Sequence, residues 1–188
     1  PFGEVPFERG PQALPQVRVR PPAEMDPGPV HVANSAGLLA TSDLAAALPP
    51  QVNAVRPGLM LYGVYPGAHL RDRASLAPVM TLRSRVANVR HLRRGDAVGY
   101  GGTFRAARRG RIATVPIGYA DGVPWSLGNR GFVLLREKRV PIAGRISMDL
   151  ITIFVGDEPV EIGDPVVLFG EGLPVEDVAE AAGPISYE

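Results

Sequence analysis

Three stretches of the chain set a polar or ionisable side chain beside glycine at the edge of an apolar run. They are Val98-Gly99-Tyr100-Gly101-Gly102-Thr103-Phe104, Ile117-Gly118-Tyr119-Ala120-Asp121-Gly122 and Gly144-Arg145-Ile146-Ser147-Met148-Asp149. The neighbouring runs alternate and are rich in β-branched residues, so each stretch falls where a strand meets a turn. Glycine at such a place lets the backbone bend sharply or approach a ligand closely. Tyr100 and Tyr119 thus read as phenols held near an opening in a β scaffold. Taken singly, either also reads as a half-buried aromatic with a hydrated hydroxyl. A phenol, with a pKa near 10, is a poor base at neutral pH unless nearby positive charge stabilises the phenolate.

Upstream, the apolar run Val30–Ala33 leads into Asn34-Ser35, both good helix caps, and then Ala36-Gly37-Leu38-Leu39-Ala40. A strand that delivers its last residue onto a helix start presents free backbone N–H groups. That junction suits a phosphate, with the Ser35 hydroxyl as a further donor. On local sequence alone Ser35 reads first as a capping residue. A second short helix is expected over 43–48, capped at Ser42-Asp43 and stopped by Pro49-Pro50. Val55-Arg56-Pro57-Gly58 then places an Arg and a flexible Gly at a strand boundary before the apolar segment 59–64. Arg56 could face an anion or an aromatic ring nitrogen there, or could simply be a surface residue before a turn.

Composition bounds the rest. The 188 residues are 45% hydrophobic, enough for one well-cored domain or two small ones. Lys plus Arg is 20 against 19 for Asp plus Glu, so nothing in the balance points to nucleic acid. Arg83, Arg85, Arg90, Arg93 and Arg94 are interleaved with apolar residues and read as the wet face of strands. The absence of cysteine removes disulfides, thiolate catalysis and thiolate metal sites. His31, His69 and His91 are too scattered to suggest a metal by local spacing. No apolar run reaches membrane-spanning length and the start lacks the pattern of a signal peptide, so a soluble, cytoplasmic protein without a membrane or nucleic-acid partner is expected.

Prolines at 1, 6, 11, 15, 21, 22, 27 and 29 make residues 1–29 extended or irregular, and no element is assigned there. The composition turns polar at 70–74, where a boundary is placed between a first part, 1–74, and a second, 75–188. Beyond it, short strands are expected at 79–91, 97–100, 111–117, 131–135, 139–142, 150–155 and 165–169, a spacing that argues for a small barrel or sandwich. Gly95-Asp96-Ala97-Val98 and Gly163-Asp164-Pro165-Val166 repeat one turn-to-strand device. One helix closes the chain, with Pro174 at its start and Gly183 as its stop. The tail after it, through Tyr187, reads as a segment that continues into a partner strand.

Taken in order, 31–37 (His-Val-Ala-Asn-Ser-Ala-Gly), 55–63 (Val-Arg-Pro-Gly-Leu-Met-Leu-Tyr-Gly) and the three stretches above resemble the alanine racemase family from about His31 to Glu188. The resemblance implies the last part of an α/β barrel followed by a mainly antiparallel β domain. It also implies pyridoxal 5′-phosphate as cofactor, alanine as substrate, two proton-transfer groups on opposite faces of it, and D-alanine supplied for peptidoglycan. Tyr100 matches one proton-transfer residue. Ser35, Gly58, Leu59 and Tyr187 match the phosphate cradle, and Arg56 matches the residue that faces the pyridine nitrogen. Met148 matches the residue whose backbone N–H binds the substrate carboxylate, while Tyr119 and Arg145 match the lining of the entrance. Trp125 would narrow that mouth or serve equally well as a loop or interface aromatic. A homodimer is implied in which Tyr100, Tyr119, Arg145 and Met148 reach into the partner's barrel and the cradle residues serve their own cofactor. No metal is implied.

The family's other proton-transfer group is the lysine that carries the cofactor, and the family's motif for it has no counterpart here. Lys138, the only lysine, lies in the charged turn Arg136-Glu137-Lys138-Arg139. The chain therefore reads as the C-terminal half of a racemase, inactive alone and completed by an upstream half. A stand-alone β module that dimerises or binds an anion, a related cofactor-dependent barrel enzyme such as a decarboxylase, and a racemase of broader specificity are the alternatives.

Overall fold

The computed structural model describes residues 28–41, 43, 46 and 48–183. The Pro-rich segment up to 27 and Tyr187 lie outside them, as does most of the short helix expected over 43–48. Of that helix, Asp43 Oδ1 accepts from the Ala46 N–H at 3.0 Å, so the cap is the aspartate.

The first part is a parallel β-α-β unit. Strand β1 (His31–Val32) pairs with β2 (Ala54–Val55), His31 opposite Ala54 and Val32 opposite Val55, with helix α1 (Ser35–Ala40) on the connection. Parallel pairing through a helical crossover is the unit from which α/β barrels are built. The apolar segment after Gly58 becomes a 3₁₀ turn, Leu59–Tyr62, closed by Gly63 at φ 74°. A second 3₁₀ segment covers Ala68–Arg73. Tyr65 ties this part to the start of the second: its hydroxyl donates to Ala74 O at 2.8 Å and accepts from Leu76 N at 3.0 Å.

The rest is antiparallel. A three-stranded sheet runs β10-β7-β4 (Ile151–Gly156, Gly110–Val115, Asn88–Leu92), and a four-stranded one runs β3-β11-β8-β9 (Leu82–Arg85, Pro165–Phe169, Phe132–Leu135, Lys138–Pro141). A short hairpin pairs β5 (Ala97–Val98) with β6 (Phe104–Arg105). Alternation builds the core between the sheets. Ile151, Ile153 and Val155 from one pack in one cluster with Val133, Leu135, Val140 and Val166 from the other, all nearly fully buried. Helix α2 (Val175–Ala182) is stopped by Gly183 at φ 92°, whose N–H reaches Ala179 O at 2.8 Å.

One expected strand divides. The run 79–91 changes sheets at Val86-Ala87: Val86 N donates to Asp164 O at 2.9 Å, and Ala87 N to Thr114 O at 2.8 Å. Its first half becomes β3 of one sheet and its second half β4 of the other, which joins the sheets at a corner. The arginines at 83, 85, 90, 93 and 94 are exposed as expected. The two Gly-Asp turns are the same device in detail. Asp96 accepts from Arg93 N at 2.7 Å and Asp164 from Glu161 N at 2.9 Å, with Gly95 and Gly163 at φ 90° and 96°.

Candidate active site

Helix α1 is capped by Asn34, whose Oδ1 accepts from Gly37 N at 3.0 Å. The expectation that Ser35 caps the helix is thereby corrected: Asn34 takes the cap and Ser35 is the first helical residue. Ser35 is 4% exposed, and its Oγ accepts from Gly58 N at 2.8 Å and Met60 N at 3.2 Å. With both lone pairs engaged, the remaining capacity of that hydroxyl is its proton, so Ser35 can act on a ligand only as a donor. Beside it the space is open: a Cβ placed at Gly58 would meet Ser35 Oγ at 4.0 Å and nothing nearer. Ser35, Gly58 and Leu59 thus lie together where β1 and β2 end, and Arg56 joins them through its N–H, which donates to Ala33 O at 2.9 Å. Tyr187 lies outside the described residues.

The second group is assembled by backbone contact among the three glycine-bearing stretches. Tyr119 N donates to Ser147 O and Ala120 N to Met148 O, both at 3.0 Å. Gly118 packs so tightly that a Cβ there would overlap the Ser147 and Met148 carbonyls. Gly144, at φ 86°, approaches Val98, where a Cβ would stand 2.8 Å from the carbonyl oxygen. A Cβ on Gly99 would stand 3.3 Å from Arg145 N. These approaches are open only to glycine, and they place Tyr100, Tyr119, Arg145 and Met148 on linked turns.

All four side chains stay exposed, Tyr100 at 71% and Met148 at 54%. Neither tyrosine hydroxyl has a hydrogen-bond partner among the described residues, and no acceptor there meets the Met148 N–H. The Arg145 guanidinium lies 5.8 Å from the centroid of the Trp125 ring. A Cβ at Gly101 would stand 3.5 Å from Arg145 Nη1, so the guanidinium lies near both Trp125 and the Tyr100 turn. Asp121 closes the Tyr119 turn by accepting from Gly118 N at 2.8 Å.

Lys138 is remote from both groups in its bonding. It begins β9, after the left-handed pair Arg136-Glu137 (φ 49° and 64°), and its Nζ lies 2.6 Å from Glu158 Oε2. The reading of Lys138 as a charged hairpin residue therefore stands. Among the described residues no hydrogen bond, ion pair or ring contact links the Ser35 group to the Tyr100 group within one chain.

Sequence reasoning missed Asn129. Its Oδ1 accepts from Gly144 N at 2.7 Å and its Nδ2 donates to Thr103 Oγ1 at 3.0 Å. The signal was present as an Asn between Gly128 and Arg130-Gly131, a pattern suited to a left-handed turn residue, and Asn129 has φ 61°.

A parallel β-α-β unit with a buried serine donor at its strand ends, joined to an antiparallel β domain whose glycine turns expose two phenols and a guanidinium, defines a barrel-plus-β-domain architecture. Residues 79–188 match the family model described as alanine racemase, C-terminal domain, and residues 12–66 match that of the N-terminal domain. The chain belongs to the alanine racemase family. It is 46% identical over 163 residues to an alanine racemase of Syntrophobacter fumaroxidans, covering 84% of this chain and 42% of that protein. To one of Chromohalobacter salexigens it is 50% identical over 135 residues, 70% of this chain and 37% of that protein. Among solved structures, alanine racemase from D-cycloserine-producing Streptomyces lavendulae superposes with a TM-score of 0.78 at 37% identity, over 87% of this chain and 43% of that one. The enzyme from Bartonella henselae with covalently bound pyridoxal phosphate gives 0.75 at 36% identity, over 85% and 43%. The chain thus spans less than half the length of these relatives.

Proposed function

We propose that this chain provides the end of the barrel and the β domain of an alanine racemase, interconverting L- and D-alanine with pyridoxal phosphate. The single observation that carries the reading is the glycine-mediated approach of the three stretches. It gathers on linked turns an exposed phenol, an exposed guanidinium and a backbone N–H that meets no acceptor among the described residues, in a chain 46% identical over 163 residues to an alanine racemase. The donor chemistry at Ser35 fits the cofactor's phosphate, since a buried hydroxyl with both lone pairs filled is left only its proton to offer.

When bound, the cofactor supplies the electron sink that makes the substrate Cα–H acidic. Ser35, Gly58, Leu59 and Tyr187 hold its phosphate, and Arg56 faces its ring nitrogen. Tyr100 moves the proton on one face of the substrate, its hydroxyl free of any competing partner among the described residues. The Met148 N–H binds the substrate carboxylate, and Arg145 and Tyr119 line the approach, where positive charge favours an amino acid over a neutral molecule. The proton on the opposite face is assigned to a lysine other than Lys138, which begins a hairpin strand with its Nζ 2.6 Å from Glu158 and shares no bond with either group among the described residues.

As the family resemblance implies, the reading includes a homodimer in which the β-domain group of one protomer completes the barrel group of its partner. It includes a boundary after Ala74, a cytoplasmic location, and D-alanine delivered to cell-wall synthesis. The test is to supply the upstream barrel half with this chain and follow cofactor absorption before and after borohydride reduction, together with D-alanine formation. Activity that appears only with the upstream half, with the reduced label on that half, supports the reading. Label on Lys138 of this chain alone overturns it.

A further inference from the structure

We propose that Asn129 is the positioning residue that holds the Tyr100 turn and the Arg145 segment in one geometry; its catalytic consequence rests on the racemase reading above.

The two stretches are adjacent but share little direct hydrogen bonding. Gly99 and Gly144 approach through van der Waals contact, which fixes separation but resists sliding poorly. Asn129 adds two directional bonds at that seam. Gly144 N can only donate, so the amide atom that meets it at 2.7 Å is the carbonyl oxygen. The NH₂ group then points the other way, to Thr103 Oγ1 at 3.0 Å, immediately after the Tyr100–Gly102 turn. One short planar side chain spans the two segments.

The local backbone serves the same purpose. Asn129 has φ 61°, a conformation that asparagine tolerates better than most residues. The preceding Gly128 lies close to the Arg145 segment, where a Cβ would stand 3.0 Å from Gly144 O and 3.3 Å from Arg145 Cα. The turn that bears Trp125, residues 125–127, therefore enters the seam through Gly128 and Asn129, and Trp125 in turn faces the Arg145 guanidinium. Removing the amide frees the Tyr100 turn, the Arg145 segment and the Trp125 turn relative to one another.

Trp125 is the only tryptophan, so its fluorescence reports this seam without labelling. Asn129→Gly keeps the left-handed backbone and deletes the amide. Thr103→Val removes only the acceptor, and Asn129→Asp keeps an acceptor for Gly144 and can accept from the Thr103 hydroxyl. In the full chain, well below the melting midpoint, Asn129→Gly is expected to shift Trp125 emission and increase its quenching by acrylamide. Thr103→Val should give a smaller change of the same sign, and Asn129→Asp should restore the parent spectrum. A role in stability alone would lower the midpoint and leave the native spectrum unmoved.

With the upstream half supplied, Asn129→Gly should lower kcat about tenfold or more with KM changed far less, because a small misplacement of a reacting group acts on the chemical step. An unchanged Trp125 signal in folded Asn129→Gly overturns the proposal. If Asn129→Gly does not fold, an unchanged signal in Thr103→Val overturns it. A changed Trp125 signal in a protein that shows no racemisation even unmutated would sink the racemase reading and leave the seam intact.

Discussion

Gly118 lies against the Met148 carbonyl with no room between them for a side chain. The φ of Gly118, −146°, is ordinary extended backbone, so sterics alone demand glycine there. Gly118→Ala forces the Tyr119 turn off Ser147 and Met148, breaking the 3.0 Å bonds from Tyr119 N and Ala120 N. A loss of about 1–3 kcal/mol is expected, as for an overpacked core. Urea denaturation measures it through the midpoint at constant slope. A variant as stable as the parent would mean that the two turns are not in contact.

Ser35→Ala leaves the Gly58 and Met60 amides without their acceptor at a position 4% exposed. A fully buried unpaired donor costs about 1–3 kcal/mol, and the loss here should be smaller, at or below about 1 kcal/mol, because Gly58 is exposed and Met60 half-buried. Hydrogen exchange should locate the effect, with faster exchange at those two amides and little change in the β domain. Uniform acceleration across the chain would assign Ser35 a global role in place of a local one.

How much of this was legible in the sequence depends on which interactions are local. Strands β10 and β11 and the three glycine-bearing turns could be read because alternation and glycine are signals carried within a few residues. Asn34 and Ser35 are both good caps, and only the three-dimensional course of Gly58–Met60 decides which serves the helix and which serves the neighbouring loop. The change of sheet at Val86-Ala87 is invisible in the alternating run 79–91, since it is set by Asp164 and Thr114, which lie far along the chain. The pair of hydrogen bonds from Asn129 to two segments is hidden for the same reason: Gly144 and Thr103 flank it at distances that local sequence does not report. Tyr100, Tyr119, Arg145 and Met148 are grouped by the resemblance of their motifs to the family, and the glycines in those motifs are what bring the turns together.

Lys138→Ala should change little. The Lys138–Glu158 pair is 63% and 44% exposed at its two side chains, and pairs of that kind contribute about 0–1 kcal/mol. The variant should also retain whatever cofactor absorption the complete enzyme shows after the upstream half is added. Loss of a reducible absorption band on this substitution would make Lys138 the cofactor's lysine.

Asp164 gives the chain an acid-sensitive corner. Its carboxylate accepts the Glu161 N–H at 2.9 Å and is held by the Arg136 guanidinium at 3.0 Å. The hydrogen bond from the Glu161 backbone first, and then that from Arg136, hold the Asp164 carboxyl below the usual carboxylate range, against a smaller opposing effect of burial. Because the folded pKa lies below the unfolded one, the unfolded chain takes up the proton first as pH falls. The stabilisation is thus complete above the ordinary carboxylate pKa of about 4 and disappears as pH drops through the lowered folded value. Asp164 O also accepts from Val86 N at the corner between the sheets, so loosening this turn bears on both of them. Asp164→Asn retains an oxygen for the Glu161 N–H but removes the charge. It should melt at a lower temperature than the parent at neutral pH and show a shallower decline in melting temperature below about pH 4. Parallel acid limbs for parent and variant would show that the Asp164 charge contributes nothing to the fold.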